Sequence, residues 1–382
     1  MNTFLTTKNE AACCGCLSCM YSCPTGSISL SERFDKFSYP QLDSSKCINC
    51  GICRDVCPND NLKLNSIIST HALKHNEREV RLNSSSGGAF TAISDILLDE
   101  GYTVYGAVLD DDFHVVHRSA SNKEERNKMR GSKYIESSLV GIYPDIKSRL
   151  ERNEKVLFVG TPCQTNGLKT FLKKEYENLF TIDLVCNGVG SPKIFEDYLN
   201  LVSNGKGVNN FIFRYKADDK WSSDFKIYID CESKNEEYLN SLYTLLFVRQ
   251  FGYRPSCSEC KFTRTERPGD LTIGDFWTIN SINKDFNDST GVSFVSANTS
   301  KGEKFLKEKL NNCETIETDK EKTIKAIPRM HESVNDSVIK HKFWKYYKSH
   351  SAKKTFDVYG SQSLYSKIRR KPFELLYKLL KH

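Results

Sequence analysis

Cys13-Cys-Gly-Cys-Leu-Ser-Cys-Met-Tyr-Ser-Cys23-Pro24 and Cys47-Ile-Asn-Cys-Gly-Ile-Cys-Arg-Asp-Val-Cys57-Pro58 decide how this chain is read. Each spells C-x2-C-x2-C-x3-C-P, and the second starts 34 residues after the first. An iron–sulfur cubane needs four sulfurs converging on a small body, so three must come from one tight loop. The fourth stands before a proline that stops the loop from continuing as helix, and so arrives from another side. A zinc site prefers two separated C-x2-C pairs, and thiols at every third residue crowd a single tetrahedral ion. A disulfide framework is the other alternative.

The pattern resembles that of the bacterial two-cluster ferredoxins, in which the fourth cysteine of each run serves the other cluster. The resemblance implies Cys13, Cys16, Cys19 and Cys57 on one 4Fe–4S cluster and Cys47, Cys50, Cys53 and Cys23 on the other. Cys14 lies outside the pattern and reads as a small loop residue.

Length and composition frame the rest. The 382 residues suffice for two or three domains with real cores. Fifteen cysteines would suit a secreted disulfide protein, but thiolates on iron need a reducing compartment. The start, MNTFLTTKNE, lacks a basic cluster and an apolar run, so no signal peptide is expected. No stretch approaches the roughly 18 apolar residues of a membrane span. The expectation is a soluble, cytoplasmic protein. The net charge of +7 is concentrated, since residues 345–382 carry ten Lys or Arg against Asp357 and Glu374. The remainder is near neutral, which argues against nucleic acid as a partner and makes the basic character a property of one tail.

The expected fold is an α+β ferredoxin-like two-cluster domain, then a larger α/β domain with a mixed sheet and a helical basic tail. Residues 1–66 form the ferredoxin module, with strand candidates around Ile28 and over Lys36–Leu42. Residues 67–81, with His71 and His75 four apart, read as a linker or surface helix. Residues 82–204 alternate helix and strand, as a largely parallel sheet requires. The apolar spacing predicts a helix after Gly88, a hairpin over 102–118, strands at 155–159 and 179–185, and helices over 163–172 and 191–202. Residues 205–345 look antiparallel, with strands near 210–214, 225–230, 269–276 and 291–297, a helix over about 236–249, and mostly helix from 300. Residues 346–382 form the amphipathic basic tail.

A second set of cysteines follows the strands of the large domain. Cys163 opens a helix after one strand, Cys186 ends the next, and Cys257-Ser-Glu-Cys260 sits in a loop. In a parallel sheet the carboxyl ends of neighbouring strands form the ligand-binding edge, so these four thiols can converge there. Iron–sulfur, zinc and unligated thiols all remain open on this reading. A nucleophilic Cys163 is less favoured, since no histidine stands beside it. Cys231 and Cys313 read as packing residues.

Five further stretches carry a second resemblance: Ser84-Ser-Ser-Gly-Gly-Ala-Phe90, Arg130-Gly-Ser-Lys-Tyr134, Val159-Gly-Thr-Pro-Cys-Gln164, Asp183-Leu-Val-Cys186 and Asp270-Leu-Thr-Ile-Gly-Asp-Phe-Trp277. Together they resemble the coenzyme F420 hydrogenase/dehydrogenase beta-subunit family, in its form with an N-terminal two-cluster ferredoxin domain. That resemblance spans about residues 1–345 and implies an FAD site and a third 4Fe–4S cluster on Cys163, Cys186, Cys257 and Cys260. The expected flavin contacts are Ser84, Ser85, Ser86, Gly87, Gly88, Lys133, Tyr134, Thr161, Pro162 and Asp275. The serine–glycine run before a helix offers hydroxyls, N–H groups and a positive dipole end to a diphosphate. The chain departs from the family pattern at Asn187 (histidine in the family), Gly190 (proline) and Thr278 (glycine).

Clusters pass single electrons, and a flavin exchanges two with an organic molecule. The sequence therefore suggests an oxidoreductase passing electrons between a ferredoxin-like carrier and a small molecule. The competing reading is a subunit that wires a partner enzyme and has no substrate site. The tail, with the amphipathic stretch 373–380 behind a basic cluster, suits an anionic membrane surface, a partner, or its own domain. Catalytic residues, substrate and direction of flow are not legible.

Overall fold

The computed structural model describes residues 4–360 apart from 217–218, 223–225, 232–233, 240 and 335. The basic stretch 361–382, to which the membrane and partner readings attach, lies outside the described residues. Among the described residues, no helix is long and apolar enough to cross a membrane.

The N-terminal part carries one two-stranded antiparallel ribbon, β1 (Ile28–Glu32) with β2 (Ser38–Leu42), between the two cysteine loops. The large domain is built on an eight-stranded mixed sheet. Its strands are β3 (Ser69–His75), β4 (Tyr102–Leu109), β5 (Val115–Ala120), β6 (Lys155–Gly160), β7 (Leu179–Leu184), β11 (Leu271–Asp275), β12 (Ser293–Ala297) and β13 (Cys313–Thr318). The order across the sheet is β13-β3-β12-β11-β7-β6-β4-β5. β11, β7, β6 and β4 run parallel, and the outer pairings are antiparallel. β8 (Val208–Tyr215), β9 (Lys226–Cys231) and β10 (Lys234–Leu239) form a separate antiparallel sheet. The central run Val156-Leu-Phe-Val159 is buried throughout, as a strand covered by helices on both faces requires.

Three expectations are corrected. Of residues 67–81, Ser69–His75 are neither a linker nor a surface helix but the buried strand β3 between β12 and β13, and a short surface helix is confined to Arg78–Leu82. Its polar residues are paired with the edge strand β13: the buried Lys74 reaches out to the exposed Glu314 at 3.0 Å, and Thr70 Oγ1 lies 2.9 Å from Thr318 Oγ1. That pairing hides a core strand behind a polar composition. The helix expected over 236–249 is shorter, Leu242–Val248, because β10 takes the preceding residues and Ser241 caps the helix by accepting from Thr244 N. The stretch from 300 is interrupted by β13, whose strand begins at Cys313.

One helix, Pro162–Leu172, joins the two parts of the molecule. Its Asn166, Gly167 and Thr170 are poor helix formers, and all three are spent on the interface. Asn166 Nδ2 donates to Asn61 O (2.9 Å), and Asn166 Oδ1 accepts from Lys63 N (2.8 Å). Thr170 Oγ1 donates to Val56 O (2.8 Å), and Ser18 Oγ donates to Gly167 O (2.8 Å). A Cβ at Gly167 would stand 2.8 Å from Cys16 Cβ, so the first cysteine loop seats where only glycine leaves room.

Candidate redox site

The cysteines of the two N-terminal runs line two separate cavities. One is lined by Cys13, Cys16, Cys19 and Cys57, with Cys14 and Cys53 also at its wall. The other is lined by Cys47, Cys50, Cys53 and Cys23. Each cavity thus takes three cysteines from one run and the last cysteine of the other. Lys8 Nζ sits 3.0 Å from Cys57 Sγ and 2.8 Å from Asp60, placing a cation beside the first cavity.

A third cavity is lined by Cys163, Cys186, Cys257 and Cys260, again with Cys14. The fold brings them together as the strand ends suggest. Cys163 enters from the helix after β6, at an N-terminus whose dipole favours a thiolate. Pro162 occupies the first helical position and Thr161 Oγ1 lies 3.2 Å from Cys163 Sγ. Cys186 follows β7, and its sulfur accepts from Gly188 N at 3.3 Å.

The Cys257–Cys260 loop is fixed by two buried arginines that flank it. Arg267 holds Asp183 of β7 in a buried pair and donates to Phe262 O (3.1 Å) and Leu184 O (2.8 Å). Asp183 also accepts from Gly269 N at 2.8 Å. Arg254 donates to Cys13 O (2.7 Å), Ser38 O (2.9 Å) and Glu136 Oε1 (2.5 Å). Burial pushes the Glu136 carboxyl up, and the guanidinium beside it opposes that shift. Arg254 and Arg267 are positioning residues that the sequence reading passed over, although each stands within seven residues of a site cysteine, and Asp183 entered it only as the start of a motif.

Burial pushes the Cys186 thiol up, and the Cys257 thiol up to about 12. Burial also pushes the Cys260 thiol up, and these three buried groups become thiolates together only when a cationic centre offsets the charge. Among the described residues no three His, Cys, Asp or Glu side chains close on one point as a single metal ion needs. A lone zinc ion would draw its sulfurs to about 2.3 Å. Four thiols around one cavity are a donor set that either a cubane or a zinc ion can use.

The fourth cavity, of about 250 Å³, lies beyond the carboxyl ends of β6, β7 and β11. Of the ten expected flavin contacts, Ser84, Ser85, Ser86, Gly88, Lys133, Tyr134, Thr161 and Asp275 line it. The other two do not. Pro162 faces the third cysteine cavity. Gly87 is packed into the sheet, where a Cβ would meet Leu73 O at 2.3 Å, and its N–H donates to Ser293 Oγ.

The serine hydroxyls also serve differently from the expectation. Ser84 Oγ donates to Val80 O (2.7 Å), Ser86 Oγ donates to Val292 O (2.6 Å), and Ser85 Oγ accepts from Ser132 N (2.8 Å). They shape the loop. Gly88 takes the left-handed conformation at φ 91° and opens the helix Ala89–Asp99 toward the cavity. Lys133 Nζ donates to Lys128 O and Arg130 O, and burial lowers it to about 7.

Among the described residues, four buried polar atoms at this wall have no partner: Thr91 Oγ1, His117 Nδ1, Arg130 Nε and Asp275 Oδ1. Unpaired buried polar atoms are costly, and their concentration around one cavity fits a polar ligand. His117 Nε2 donates to Val159 O (3.1 Å), the ring stacks on Phe158, and burial lowers its pKa to about 4. The other oxygen of Asp275 accepts from Arg214 Nη1 at 2.6 Å, and Arg214 lies over the Trp277 ring, which stacks on Trp221. Thr161, Gln164 and the run Cys186-Asn-Gly-Val189 line both this cavity and the third cysteine cavity. The two sites share a wall.

Two of the three departures from the family pattern meet local contacts. Gly190 approaches Tyr134 O so closely that a Cβ would stand at 2.4 Å, and Asn187 Oδ1 accepts from Arg329 Nε.

Comparison with known proteins places this geometry. Residues 153–323 match the family described as the C terminus of the coenzyme F420 hydrogenase/dehydrogenase beta subunit. Residues 12–61 match the 4Fe-4S dicluster domain. The chain is 29% identical over 194 residues to the coenzyme F420-dependent sulfite reductase of Methanocaldococcus jannaschii, covering 49% of this chain and 30% of that protein. It is 50% identical over 42 residues to F(420)H(2) dehydrogenase subunit I of Methanosarcina mazei, covering 11% of this chain and 23% of that protein. It thus spans less than a third of either relative. A chain in the F420-reducing [NiFe] hydrogenase complex from Methanosarcina barkeri aligns at 16% identity and a TM-score of 0.47, over 71% of this chain and 91% of that one.

Proposed function

We propose that this chain, whose residues 153–323 belong to the coenzyme F420 hydrogenase/dehydrogenase beta-subunit family and whose residues 12–61 form a 4Fe-4S dicluster domain, relays electrons through three 4Fe–4S clusters to FAD. One observation carries the proposal. Three cavities, each lined by at least four cysteines, adjoin in series, and the last of them shares Cys186–Val189 with a fourth.

The clusters supply one-electron steps and the flavin supplies two-electron exchange with an organic molecule. The chain's residues would hold the third group in a buried setting and the Cys47–Cys53 group near the surface, where Cys50 is exposed. Cys13, Cys16, Cys19 and Cys57 hold one cluster; Cys47, Cys50, Cys53 and Cys23 the second; Cys163, Cys186, Cys257 and Cys260 the third. Gly88 and the helix it opens receive the diphosphate. Lys133, His117 and Asp275 offer polar contacts deeper in the cavity. A groove of about 510 Å³ between β1–β2 and the helix Pro192–Val202 shares Val115, Ile135 and Ser137 with the flavin cavity. That groove gives a small molecule a place beside the cofactor and favours an oxidoreductase with its own substrate. The names of the relatives point to coenzyme F420 as a two-electron partner to try first.

The second reading, a subunit that wires a partner enzyme, rests on the short share of each relative that this chain covers. A ferredoxin-like carrier is the external partner in either case. Turnover separates the two. The anaerobic chain, given only a chemical reductant, is expected to reduce F420 or another small acceptor. Reduced flavin that no small acceptor reoxidises would leave the wiring role alone standing.

A further inference from the structure

Residues 4–11 carry none of the cysteine motifs and precede the stretch 12–61 that matches the dicluster domain. They nevertheless close over the first cysteine cavity. Phe4, Leu5, Lys8 and Asn9 line it together with Cys13, Cys16, Cys19 and Cys57, and Phe4 also lines the cavity of Cys47, Cys50 and Cys53. Lys8 N donates to Phe4 O at 2.9 Å, and Asn59 Nδ2 donates to Ala12 O, which ties this segment to the end of the second run.

Lys8 is the charged member of the segment, and its side chain is only 13% exposed. Its Nζ donates to Cys57 Sγ at 3.0 Å and to Asp60 Oδ2 at 2.8 Å, and it lies 4.8 Å from the Phe4 ring centroid. A lysine beside a carboxylate stays protonated at neutral pH, so the sulfur faces a fixed positive charge. The sulfurs of the second site have neutral partners. Ser27 Oγ lies 3.1 Å and Thr25 Oγ1 3.6 Å from Cys23 Sγ, and Asn49 N donates to Cys47 Sγ at 3.4 Å.

We propose that Lys8 sets the potential of one of the two N-terminal clusters, its charged donor on Cys57 making that site easier to reduce. This rests on the two-cluster part of the reading above, and on neither the third cysteine site nor the flavin. Hydrogen bonds to the sulfurs and the net charge around them set the potential of an iron–sulfur site. One-electron reduction adds negative charge there, and a hydrogen-bonded cation stabilises the reduced form more than the oxidised one. The electron comes from the external carrier, Lys8 keeps its proton, and no bond to sulfur or iron forms or breaks. Cys57 ends the second run but lines the first cavity, so the effect falls on the site seated against the helix Pro162–Leu172. The exposed site around Cys50 is left unchanged. Lys8 thereby draws electrons inward, and the half-exposed Asp60 offsets part of its charge.

The test compares full-length wild type, Lys8→Met, Lys8→Arg and Asp60→Asn, all purified anaerobically. The readouts are iron per chain and a dithionite titration followed by electron paramagnetic resonance. Lys8→Met should lower the ratio of reduced to oxidised cluster about tenfold at one transition, the weight of one hydrogen bond to a charged acceptor. That is a shift of about 59 mV for one electron, with the other transitions left in place. Lys8→Arg, which keeps the charge and a donor, should restore most of it. Asp60→Asn removes the opposing charge and should shift the same transition the other way, which a merely structural role would not do. Wild-type potentials in Lys8→Met, or equal shifts at every transition, overturn the inference. Should Lys8→Met lose about four irons, Asp60→Asn decides: an upward shift sustains the inference, and no shift or a downward one overturns it. A wild-type chain with fewer than about eight irons fails the two-cluster reading itself and is told apart by that count.

Discussion

Replacing Arg254 by methionine tests how the two halves of the molecule are held together. Arg254 is fully buried. It bonds Cys13 O, Ser38 O and the Glu136 carboxylate, and its guanidinium lies 4.3 Å from the Tyr39 ring centroid. Methionine fills much of the volume and supplies none of the donors. The Glu136 carboxylate is then left without its cation, and two backbone carbonyls lose a donor. Removing one partner of a buried ion pair costs about 3–5 kcal/mol, far above the ~0–1 kcal/mol of a surface pair. Urea denaturation of the anaerobic protein, followed by tryptophan fluorescence, measures the loss. Adding Glu136→Gln to Arg254→Met should recover part of it, since a neutral amide is easier to bury. What remains is the cost of two unpaired carbonyls, about 1–3 kcal/mol each. An Arg254→Met protein within about 1 kcal/mol of wild type would refute the reasoning, because that is the behaviour of an exposed pair.

His117 predicts a pH dependence. Its folded pKa lies at about 4, below the 6.5 of an unfolded histidine, so the unfolded chain binds the extra proton between those values. Stability attributable to His117 is then intact above pH 6.5 and is lost as pH falls toward 4, by about 2 kcal/mol at pH 5. Unfolding curves of His117→Gln at pH 7 and pH 5 should differ less than those of wild type by that amount. Equal differences would remove the argument. Gly167→Val should force the Cys16 loop off the helix, at about 1–3 kcal/mol, with faster proteolytic cleavage between residues 1 and 66. A Gly167→Val protein as resistant as wild type would mean the contact is not tight.

The cysteine grid was legible because its chemistry is local. Ligands for one cubane must recur at fixed short spacing, and the strand ends that bring Cys163 and Cys186 together follow from alternating helix and strand. What escaped depends on contacts between distant residues. Arg254 meets Cys13 O across 241 positions, and nothing in the sequence near either residue announces the partner. β3 was misread because Lys74 and Thr70 are paired with the edge strand β13, so its polarity imitates a surface. Ser84 and Ser86 looked like ligand hydroxyls, and their donors turn out to be satisfied by Val80 and Val292. The cavity at the ends of β6, β7 and β11 was half legible: glycine before a helix and the stretch from Arg130 mark it, whereas His117 and Thr91 reach it only through the fold.

The central claim is that three iron–sulfur sites lead to a flavin, and composition tests it most directly. Protein purified under strict anaerobiosis, assayed for iron, acid-labile sulfide, zinc and extracted flavin, should contain about twelve irons and about twelve sulfides per chain, four of each per cluster, with one flavin. About eight irons with stoichiometric zinc would hand the third cysteine site to a structural metal, and protein with its irons but no flavin would leave the cavity at the ends of β6, β7 and β11 to some other ligand. Either result would contradict the account.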